Sequence, residues 1–324
     1  MLSFNEYLDR VNVAVAGIEY PSEPSRLYEP IAYTMSLGGK RVRPSLVLMA
    51  CDAFCDSVEQ AVLPAVGLEL YHNFTLLHDD VMDKADVRRG KPTVHIKWDE
   101  NTAILSGDAM LTMATQFIAK APVHVMAQVM ELYNKTAMEI YEGQQYDMDF
   151  EQRMDVKEEE YINMIRLKTS VLLGCACKMG AVIGGAEVED AEAIYRFGEL
   201  VGLAFQLQDA LLDVYGDEKT FGKAIGGDIL NNKKTFMLIK ALELTQGEDH
   251  EEVMSWINAE NPDKSKKIAA VTDIYTRTGV KKIAEERIAQ YNAEALAILE
   301  KINIKDEAKE AFRAFADMLM TRKK

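Results

Sequence analysis

The chain has 324 residues, of which 48% are hydrophobic, enough to bury a sizeable core. Its formal net charge of -15 argues against a nucleic-acid partner, since neutralising a phosphate backbone needs an excess of Lys and Arg. The N-terminus has no basic region followed by a long apolar one, and no segment reaches the roughly twenty unbroken apolar residues of a membrane span. The four cysteines form neither a disulfide framework nor a zinc-ribbon pattern. We therefore expect a reduced, cytoplasmic protein without a membrane span.

Long runs without Gly or Pro dominate the chain, and alternating β-branched patterns are scarce. Residues 68–89 contain no such breaker, and residues 123–150 contain only Gly143. Within residues 283–299, apolar positions recur at steps of three to five, as on one face of a helix. Breaks in the pattern occur at Gly38-Gly39, Pro92, Pro122, Gly184-Gly185, Gly226-Gly227 and Pro262. This pattern predicts an all-α fold of ten or more helices in a single domain covering residues 1–324.

A basic cluster follows the first glycine pair, in the sequence Gly38-Gly39-Lys40-Arg41-Val42-Arg43-Pro44. Backbone N–H groups near a helix start, with Lys and Arg beside them, form an anion site. Considered alone, the segment is more typical of a solvated loop with ordinary surface charge. Together with two Asp-rich helices in an acidic protein, it favours an anion site.

Three carboxylates, Asp79, Asp80 and Asp83, lie within about one helical turn of an apolar run. Like charges at this spacing weaken a helix unless a cation offsets them. Carboxylate oxygens bind Mg²⁺, and the guanidinium groups of Arg88 and Arg89 suit phosphate oxygens. We therefore expect a metal-bridged phosphate site, with both arginines at the end of the same helix and about 100° apart around it.

A second pair of carboxylates, Asp209 and Asp213, repeats the i, i+4 spacing of Asp79 and Asp83 in another apolar helix. This spacing puts both carboxylates on one helix face, one turn apart. If the two helices face each other, their carboxylates form a cage that needs several divalent cations.

Several polar residues near the second Asp pair have two interpretations. Lys168 lies in an apolar helical run, where a lone lysine usually reaches out to water, and Gln206 is typical of a hydrogen-bonded core amide. Lys223 lies in a glycine-rich run that Lys233 follows. Such loops commonly close over phosphate groups, although an ordinary polar connection fits equally well.

Taken in order, these motifs resemble the trans-isoprenyl diphosphate synthases, also called polyprenyl synthetases. The resemblance extends from about residue 38 to residue 235. Its segments are residues 38–44, 79–83, 88–90, 107–108, 168–169, 205–209, 222–223 and 227–228. It implies an isoprenoid synthase fold, a helical bundle around a central active-site cavity, and a homodimer. It also implies Mg²⁺-dependent head-to-tail condensation of isopentenyl diphosphate with dimethylallyl, geranyl or farnesyl diphosphate.

The resemblance assigns each motif a role. Mg²⁺, as three ions with substrate bound, would be held by Asp79, Asp80, Asp83, Asp209 and Asp213. The allylic diphosphate would be gripped by Arg88, Lys168, Lys223 and Lys233. The diphosphate of isopentenyl diphosphate would be held by Lys40, Arg43, His72 and Arg89. Dipoles near the carbocation would come from the Lys168 carbonyl, Thr169 and Gln206.

One residue departs from the family pattern, because Ala210 stands where the second motif commonly has its second Asp. We expect this to weaken a water-mediated contact to the third metal ion without abolishing binding, since Asp209 and Asp213 keep their shared face.

Product length is expected to depend on residues upstream of Asp79. Phe74 lies about 7 to 8 Å deeper along the helix, next to Thr75, and Tyr71 lies about 12 Å deeper. An aromatic residue with a small neighbour there resembles the archaeal-type geranylgeranyl diphosphate synthases. Termination at C15, giving farnesyl diphosphate, is the alternative, and the aromatic residues are also compatible with ordinary core positions.

Two alternatives from other classes remain. Class I terpene cyclases and squalene-synthase-like enzymes share the Asp motifs but lack the basic segment 38–44, since cyclases need no second diphosphate pocket. Non-catalytic subunits of heteromeric synthases usually lose the Asp motifs. The basic C-terminus, Arg322-Lys323-Lys324, is compatible with either a flap over the active site or a frayed end.

Overall fold

A computed structural model describes residues 1–216 and 225–321. Its first helices are α1 (Phe4–Ala16), α2 (Ser25–Ser36), α3 (Val42–Phe54), α4 (Glu59–Met82), α5 (Val94–Lys97), α6 (Glu100–Ile118) and α7 (Met126–Glu151). The following helices are α8 (Glu158–Ile165), α9 (Val171–Ile183), α10 (Val188–Tyr215), α11 (Gly227–Leu230), α12 (Phe236–Leu244), α13 (Gly247–Asn258), α14 (Lys264–Arg277), α15 (Val280–Leu299) and α16 (Asp306–Thr321). A π-helical turn, Arg166–Ser170, separates α8 from α9. The predicted all-α fold is confirmed.

The only β-structure in the described ranges is a short hairpin. Strand β1 (Val87–Arg88) pairs antiparallel with β2 (Lys91–Pro92), with Arg88 opposite Lys91. Two predicted features, Lys223 and the basic C-terminus, lie outside the described residues.

Contacts divide the chain into two compact units. The first contains Met1–Asn134, Cys175–Glu192 and Asn303–Ala308. The second contains Lys135–Gly174, Ala193–Ile302 and the last segment from Lys309. The single domain stays a prediction. None of the helices described above is long and apolar enough to cross a lipid bilayer.

In the first unit, α4 and α6 pack closely along their length. A Cβ added at Gly67 of α4 would lie 2.7 Å from the Ile118 side chain and 2.8 Å from the Ala114 carbonyl oxygen. The glycine therefore lets α6 approach the α4 backbone. The core residues of α4 include Leu68, Leu70 and Tyr71, which are fully buried. This packing holds in place the helix that ends at the first Asp motif.

In the second unit, helices pack around the π-helical turn and around an aromatic core. Phe197 of α10 contacts Phe312 of α16 edge to face, with ring centroids 5.5 Å apart. The amphipathic pattern predicted for residues 283–299 corresponds to α15, whose buried positions include Ile288, Tyr291 and Ala295.

The prediction that Arg88 and Arg89 end the helix of the first Asp motif is wrong. α4 ends at Met82, and Lys84 adopts a left-handed conformation with φ of 52°. Arg88 instead lies in β1, and Arg89 forms part of the hairpin turn with φ of 53°. The chain reverses at Lys84 without a glycine or proline, so the sequence carried no ordinary signal for the helix end.

Candidate active site

The basic pocket of the first unit brings together three predicted residues, Arg43, His72 and Arg89. Arg43 Nη1 lies 3.2 Å from His72 Nε2. Burial first, and then the charges of Arg43 and Arg89, hold the pKa of His72 well below its usual range. The imidazole is therefore neutral at neutral pH, so that Nε2 accepts a hydrogen bond from the guanidinium while Nδ1 carries the proton. Lys40 is exposed in the loop before Arg43.

The glycine pair before Lys40 makes room for Arg89. The Arg89 guanidinium donates a hydrogen bond to the Gly38 carbonyl. A Cβ added at Gly39 would lie 2.8 Å from Arg89 Nη2, and Gly39 has φ of 137°. The positive φ therefore favours glycine at position 39, and the missing Cβ leaves room for the end of the Arg89 side chain. The pocket therefore combines Arg43 at the start of α3, His72 of α4 and Arg89 of the hairpin turn.

A buried ion pair beneath this pocket was not predicted. Arg41 Nη1 donates to Glu69 Oε1 at 2.6 Å, and both side chains are almost fully buried. Sequence reasoning placed Arg41 in the basic cluster without a role and did not single out Glu69. A glutamate in the apolar run before His72 was the available signal, since Glu is almost never buried unless paired.

The first Asp motif has two different environments. The Asp83 N–H donates to the Asp79 carbonyl at 2.8 Å, which places these two residues one helical turn apart as predicted. Asp80 is buried and accepts hydrogen bonds from Arg88 Nε at 2.9 Å and 2.8 Å. Arg88 Nη2 is also 2.7 Å from Asp80 Oδ1. Arg88 therefore neutralises Asp80, while Asp79 is half-buried and Asp83 is exposed.

Aromatic rings lie upstream of the motif where the product floor was predicted. Phe74 is buried, and its ring centroid is 5.7 Å from that of Tyr71 and 4.8 Å from that of His78. Tyr71 in turn contacts Tyr133 at 5.4 Å. Thr75 donates its hydroxyl to the His72 carbonyl. Sequence reasoning missed His78 and Tyr133 as neighbours of this group.

Gly107 allows His78 to take this place. A Cβ at position 107 would lie 2.1 Å from His78 Nε2, and the same nitrogen is 3.0 Å from the Ile104 carbonyl oxygen. The glycine of the predicted Gly107-Asp108 motif therefore has a packing role beside the Phe74 ring.

The second unit contains a cavity of about 200 Å³, called the acidic pocket below, which is lined by several of the predicted site residues. The predicted residues that line it are Lys168, Thr169, Gln206, Asp209, Asp213 and Lys233, with Ala210 among them. The polar lining residues that the sequence did not assign are Asp147, Tyr161, Asp228, Lys234 and Thr235. The cavity therefore presents four carboxylates and three lysines.

Contacts within this acidic pocket position its charged groups. Lys168 Nζ forms an ion pair with Asp147 Oδ2 at 2.5 Å. Asp213 Oδ2 accepts a hydrogen bond from the Asp228 N–H at 3.0 Å. Burial, followed by the charge of Asp228, raises the pKa of the Tyr161 hydroxyl, so this group stays protonated at neutral pH.

The π-helical turn presents Lys168 and Thr169 to the pocket. A Cβ at Gly143 of α7 would lie 2.3 Å from the Lys168 backbone nitrogen. A Cβ at Gly202 of α10 would lie 2.8 Å from the Ser170 Cα. Two glycines thus allow two helices to approach the turn closely. Gly143 was noted in the sequence only as a helix breaker, and nothing there predicted the wider turn.

The donor set fits Mg²⁺ in the way that this ion is usually bound. No group of three His, Cys, Asp or Glu side chains within residues 1–216 and 225–321 is arranged to hold a metal ion alone. Mg²⁺ is commonly held by one or two carboxylates together with waters and substrate phosphates. Asp79 with Asp83, and Asp209 with Asp213, each offer such a pair of hard oxygen donors.

Comparisons with known proteins agree with this geometry. The family model described as polyprenyl synthetase matches residues 24–275. A geranylgeranyl diphosphate synthase from Methanosarcina mazei is 43% identical over 236 residues, covering 72% of each chain. A geranylfarnesyl diphosphate synthase from Natronomonas pharaonis is 37% identical over 263 residues, covering 76% of each chain. A crystal structure of a geranylgeranyl pyrophosphate synthase matches with a TM-score of 0.92 and 42% identity over all of both chains.

The predicted family and the predicted isoprenoid synthase fold are therefore confirmed. The family match covers well over half of the chain, and the similarity to the solved structure extends over its full length. The chain belongs to the polyprenyl synthetase family and is a prenyltransferase that makes short-chain prenyl diphosphates.

Proposed function

We propose that this enzyme condenses isopentenyl diphosphate with allylic diphosphates and that geranylgeranyl diphosphate is its main product. The observation that carries the proposal is the basic pocket of Arg43, His72 and Arg89. A terpene cyclase binds a single diphosphate and has no use for a second, purely cationic pocket. The relatives' names support the same reaction class.

In the proposed mechanism, Arg43, Arg89 and Lys40 bind the diphosphate of isopentenyl diphosphate. Charged guanidinium groups form short, strong hydrogen bonds to phosphate oxygens. The neutral His72 donates from Nδ1 to a phosphate oxygen while Nε2 holds Arg43, so the ring orients the arginine and the substrate together. This pocket binds the nucleophilic substrate without a metal ion.

Mg²⁺ held by Asp79, Asp83, Asp209 and Asp213 would supply positive charge to the diphosphate of the allylic substrate. Asp80 keeps Arg88 in place through its two carboxylate oxygens. Lys168 and Lys233 line the acidic pocket and offer further cations to the same diphosphate. Lys223, for which the same role is proposed, lies outside the described residues.

The reaction then proceeds by charge separation. The allylic C–O bond breaks, and the diphosphate leaves with the electron pair. The Lys168 carbonyl, Thr169 and Gln206 turn their dipoles toward the resulting carbocation. The double bond of isopentenyl diphosphate attacks this carbon, forming the new C–C bond. The released diphosphate accepts the proton that restores a double bond.

We further propose that Phe74 ends chain growth, with Thr75 beside it and Tyr71 deeper along α4. Contacts with Tyr71 and His78 hold the Phe74 ring in place, so it can act as a rigid floor. The chain is similar to both geranylgeranyl and geranylfarnesyl diphosphate synthases, so the experiment has to distinguish C15, C20 and C25 products.

The Phe74→Ala variant tests the floor. We expect products longer by at least one isoprene unit, measured by mass analysis of dephosphorylated products, because the open space above Tyr71 would admit further carbons. Thr112→Ala, at an exposed position of α6, is the control. An unchanged product distribution for Phe74→Ala would exclude Phe74 as the floor.

The reaction itself is tested with the purified single chain. The chain is incubated with Mg²⁺, radiolabelled isopentenyl diphosphate and a C5, C10 or C15 allylic starter. Label in a C20 product from every starter is the expected result. A terpene cyclase would incorporate no label, and a non-catalytic subunit would show activity only after a partner chain is added.

We also propose a homodimer in the cytoplasm, with no nucleic-acid partner. The apolar side chains of Ile104 and Leu105 are exposed on α6, and burying them against a second copy would remove apolar surface from water. Leu105→Glu should shift the mass measured by light scattering from dimer to monomer. Val13→Glu, at another exposed apolar position, is the control and should leave the mass unchanged.

A further inference from the structure

The loop that leads into the basic pocket has an uncommon backbone. Gly38, Gly39 and Arg41 all have positive φ, with values of 75°, 137° and 46°. Glycine adopts such conformations freely, but an arginine does so only when its surroundings hold it there. Arg41 is also the residue before α3, and its carbonyl accepts the Ser45 N–H at 3.1 Å. The conformation of Arg41 therefore sets where α3 begins.

The Arg41 side chain has several buried partners. Nη1 donates to Glu69 Oε1 at 2.6 Å, and Nη2 donates to the Met35 carbonyl at 2.7 Å. Asn73 Nδ2 donates to the Glu69 carbonyl at 2.8 Å and to Glu69 Oε1 at 2.9 Å. Arg41, Glu69 and Asn73 are all at most 4% exposed. These contacts connect the end of α2, the loop and the middle of α4.

The network lies directly beside the residues that hold the diphosphate. Arg43 is two residues after Arg41, and His72 is three residues after Glu69, so each partner of the ion pair is within one turn of one partner of the Arg43–His72 contact. Burial lowers the pKa of the Arg43 and Arg89 guanidinium groups, and the negative charge of Glu69 opposes this shift in both.

We propose that the Arg41–Glu69 ion pair, braced by Asn73, is the positioning element that holds Arg43 and His72 at the spacing needed to bind isopentenyl diphosphate. Arg41 itself is buried away from the substrate and acts through the loop backbone and α3. Glu69 acts through α4. This inference rests on the proposed function of the basic pocket and adds three residues to it.

A merely structural ion pair would behave differently. Its loss would lower the melting temperature and change the KM values of both substrates to a similar degree. A purely electrostatic role for Glu69 would also behave differently, because removing a negative charge next to the pocket would tighten the binding of an anion. The positioning role predicts weaker binding of one substrate only.

The test measures KM for isopentenyl diphosphate, KM for the allylic substrate and the melting temperature in Arg41→Met and Glu69→Gln. We expect KM for isopentenyl diphosphate to rise by about tenfold to a hundredfold, since small displacements of binding groups have effects of this size. KM for the allylic substrate should change by less than about twofold, within the scatter of distant substitutions. Arg41→Lys keeps the charge but loses the two-pronged contact, so it should not restore the original KM.

Asp52→Asn is the matched control, because it alters a carboxylate of the same helix α3 that accepts hydrogen bonds from the Tyr7 hydroxyl and the Leu2 N–H. It should lower the melting temperature without changing either KM. Asn73→Ala keeps the ion pair and removes only its brace, and it should raise KM for isopentenyl diphosphate in the same direction by a smaller factor. This milder variant gives the answer if Arg41→Met does not fold.

Arg43→Gln, assayed in parallel, separates two kinds of failure. If Arg43→Gln raises KM for isopentenyl diphosphate but the Arg41, Glu69 and Asn73 variants do not, the positioning role is wrong and the pocket assignment stands. If Arg43→Gln also leaves this KM unchanged, the assignment of the pocket is wrong. A lower KM in Glu69→Gln, or equal changes for both substrates, would also overturn the positioning role.

Discussion

The basic pocket of the first unit and the acidic pocket of the second are assembled in opposite ways. The basic pocket has a surplus of cations, because its buried carboxylate, Glu69, is already paired with Arg41 and His72 is kept neutral beside Arg43. The acidic pocket has four carboxylates and three lysines, and among them Lys168 forms an ion pair with Asp147. Thus the first pocket has surplus cations suited to an anion, whereas the second has surplus carboxylates suited to added cations.

This difference indicates how the two substrates are handled. A pocket with surplus guanidinium groups needs no added cation and binds a diphosphate by exchanging water for guanidinium contacts. A pocket with pairs of carboxylates binds a diphosphate only together with metal ions, because like charges would otherwise repel. The two pockets should therefore respond differently to substitution, to Mg²⁺ and to pH.

The largest expected effect is in the acidic pocket. Asp209→Asn should lower kcat by about a hundredfold to a thousandfold, the usual loss when one group that stabilises transition-state charge is removed. The Mg²⁺ concentration for half-maximal activity should also rise. Kinetics at several Mg²⁺ concentrations measure both quantities.

Arg43→Gln and Asp149→Asn serve as controls for this experiment. Arg43→Gln should raise KM for isopentenyl diphosphate without changing the Mg²⁺ requirement, and Asp149→Asn, at an exposed position of α7, should change neither. If Arg43→Gln shifted the Mg²⁺ requirement as much as Asp209→Asn, the distinction between the pockets would fail.

The next largest effect is expected on stability, when the close packing of α7 against the π-helical turn is disturbed. Gly143→Ala puts a Cβ 2.3 Å from the Lys168 nitrogen, so the π-helical turn or α7 must move. We expect the free energy of unfolding to fall by about 1–3 kcal/mol, as for other overpacked sites. Kinetic assays should show a lower kcat, because Lys168 and Thr169 are displaced.

Gly17→Ala is the matched control for Gly143→Ala. A Cβ at position 17 would meet its nearest atom at 3.4 Å, which is an ordinary contact with little strain. Chemical denaturation of both variants compares their stabilities. Equal stabilities would mean that the turn tolerates α7 at a greater distance than the structure shows.

A smaller effect is expected from pH in the basic pocket. The pKa of His72 in the folded chain is well below the ordinary value of 6.5, so the unfolded chain binds a proton at pH values where the folded chain does not. Stability should therefore fall as the pH drops below about 6.5, by at most about 1.4 kcal/mol per pH unit from this group. Above that pH, His72 should contribute no pH dependence.

His72→Gln measures this contribution. As the pH falls below 6.5, the free energy of unfolding should decrease less for this variant than for the original chain, as measured by denaturant unfolding. His124→Gln, at an exposed position, is the matched control. Parallel pH profiles for His72→Gln and the original chain would contradict the neutral state of His72.

The smallest effect is expected at Ala210. An aspartate there would restore the second carboxylate of the family motif, next to Asp209 in the same pocket. We expect Mg²⁺ affinity to rise only about twofold to fivefold, since a water-mediated contact is nearly as favourable as a direct one. Ala204→Asp, elsewhere in α10, would test whether a buried aspartate alone changes the affinity. A much larger increase for Ala210→Asp would show that position 210 has a greater role in the second motif than proposed.

Local spacing in the sequence pointed to the paired aspartates and to the basic segment, whereas His72, Thr169 and the role of each residue came from the family resemblance and stay predictions. The i, i+4 aspartates and the basic segment after the glycine pair carry their chemistry in short stretches, and the structure brings Arg43, His72 and Arg89 together. Gln206, Asp209 and Asp213 likewise line one cavity with Lys168. The arrangement of the two Asp-bearing helices face to face stays a prediction.

Features that depend on distant residues were beyond sequence reasoning. The Arg41–Glu69 pair joins positions that are 28 residues apart, and each looks ordinary in its own segment. The end of α4 at Met82 is followed by the left-handed Lys84, and directly after the hairpin Thr93 donates a hydrogen bond back to the Ala85 carbonyl. Asp147 became visible only through its ion pair with Lys168. In each case the information lies in tertiary contacts.

The π-helical turn at Arg166–Ser170 determines the direction in which the side chains of the following helix, α9, point. A π-helical turn accommodates one residue more than an α-helical turn without breaking the helix. Deleting that residue would rotate every later side chain by about 100° around the helix axis. Val171, Cys175 and Ala176, which are fully buried in α9, would then change direction together. The extra residue thus keeps two consecutive helices in phase, and a one-residue deletion here should be far more damaging than any single substitution in the turn.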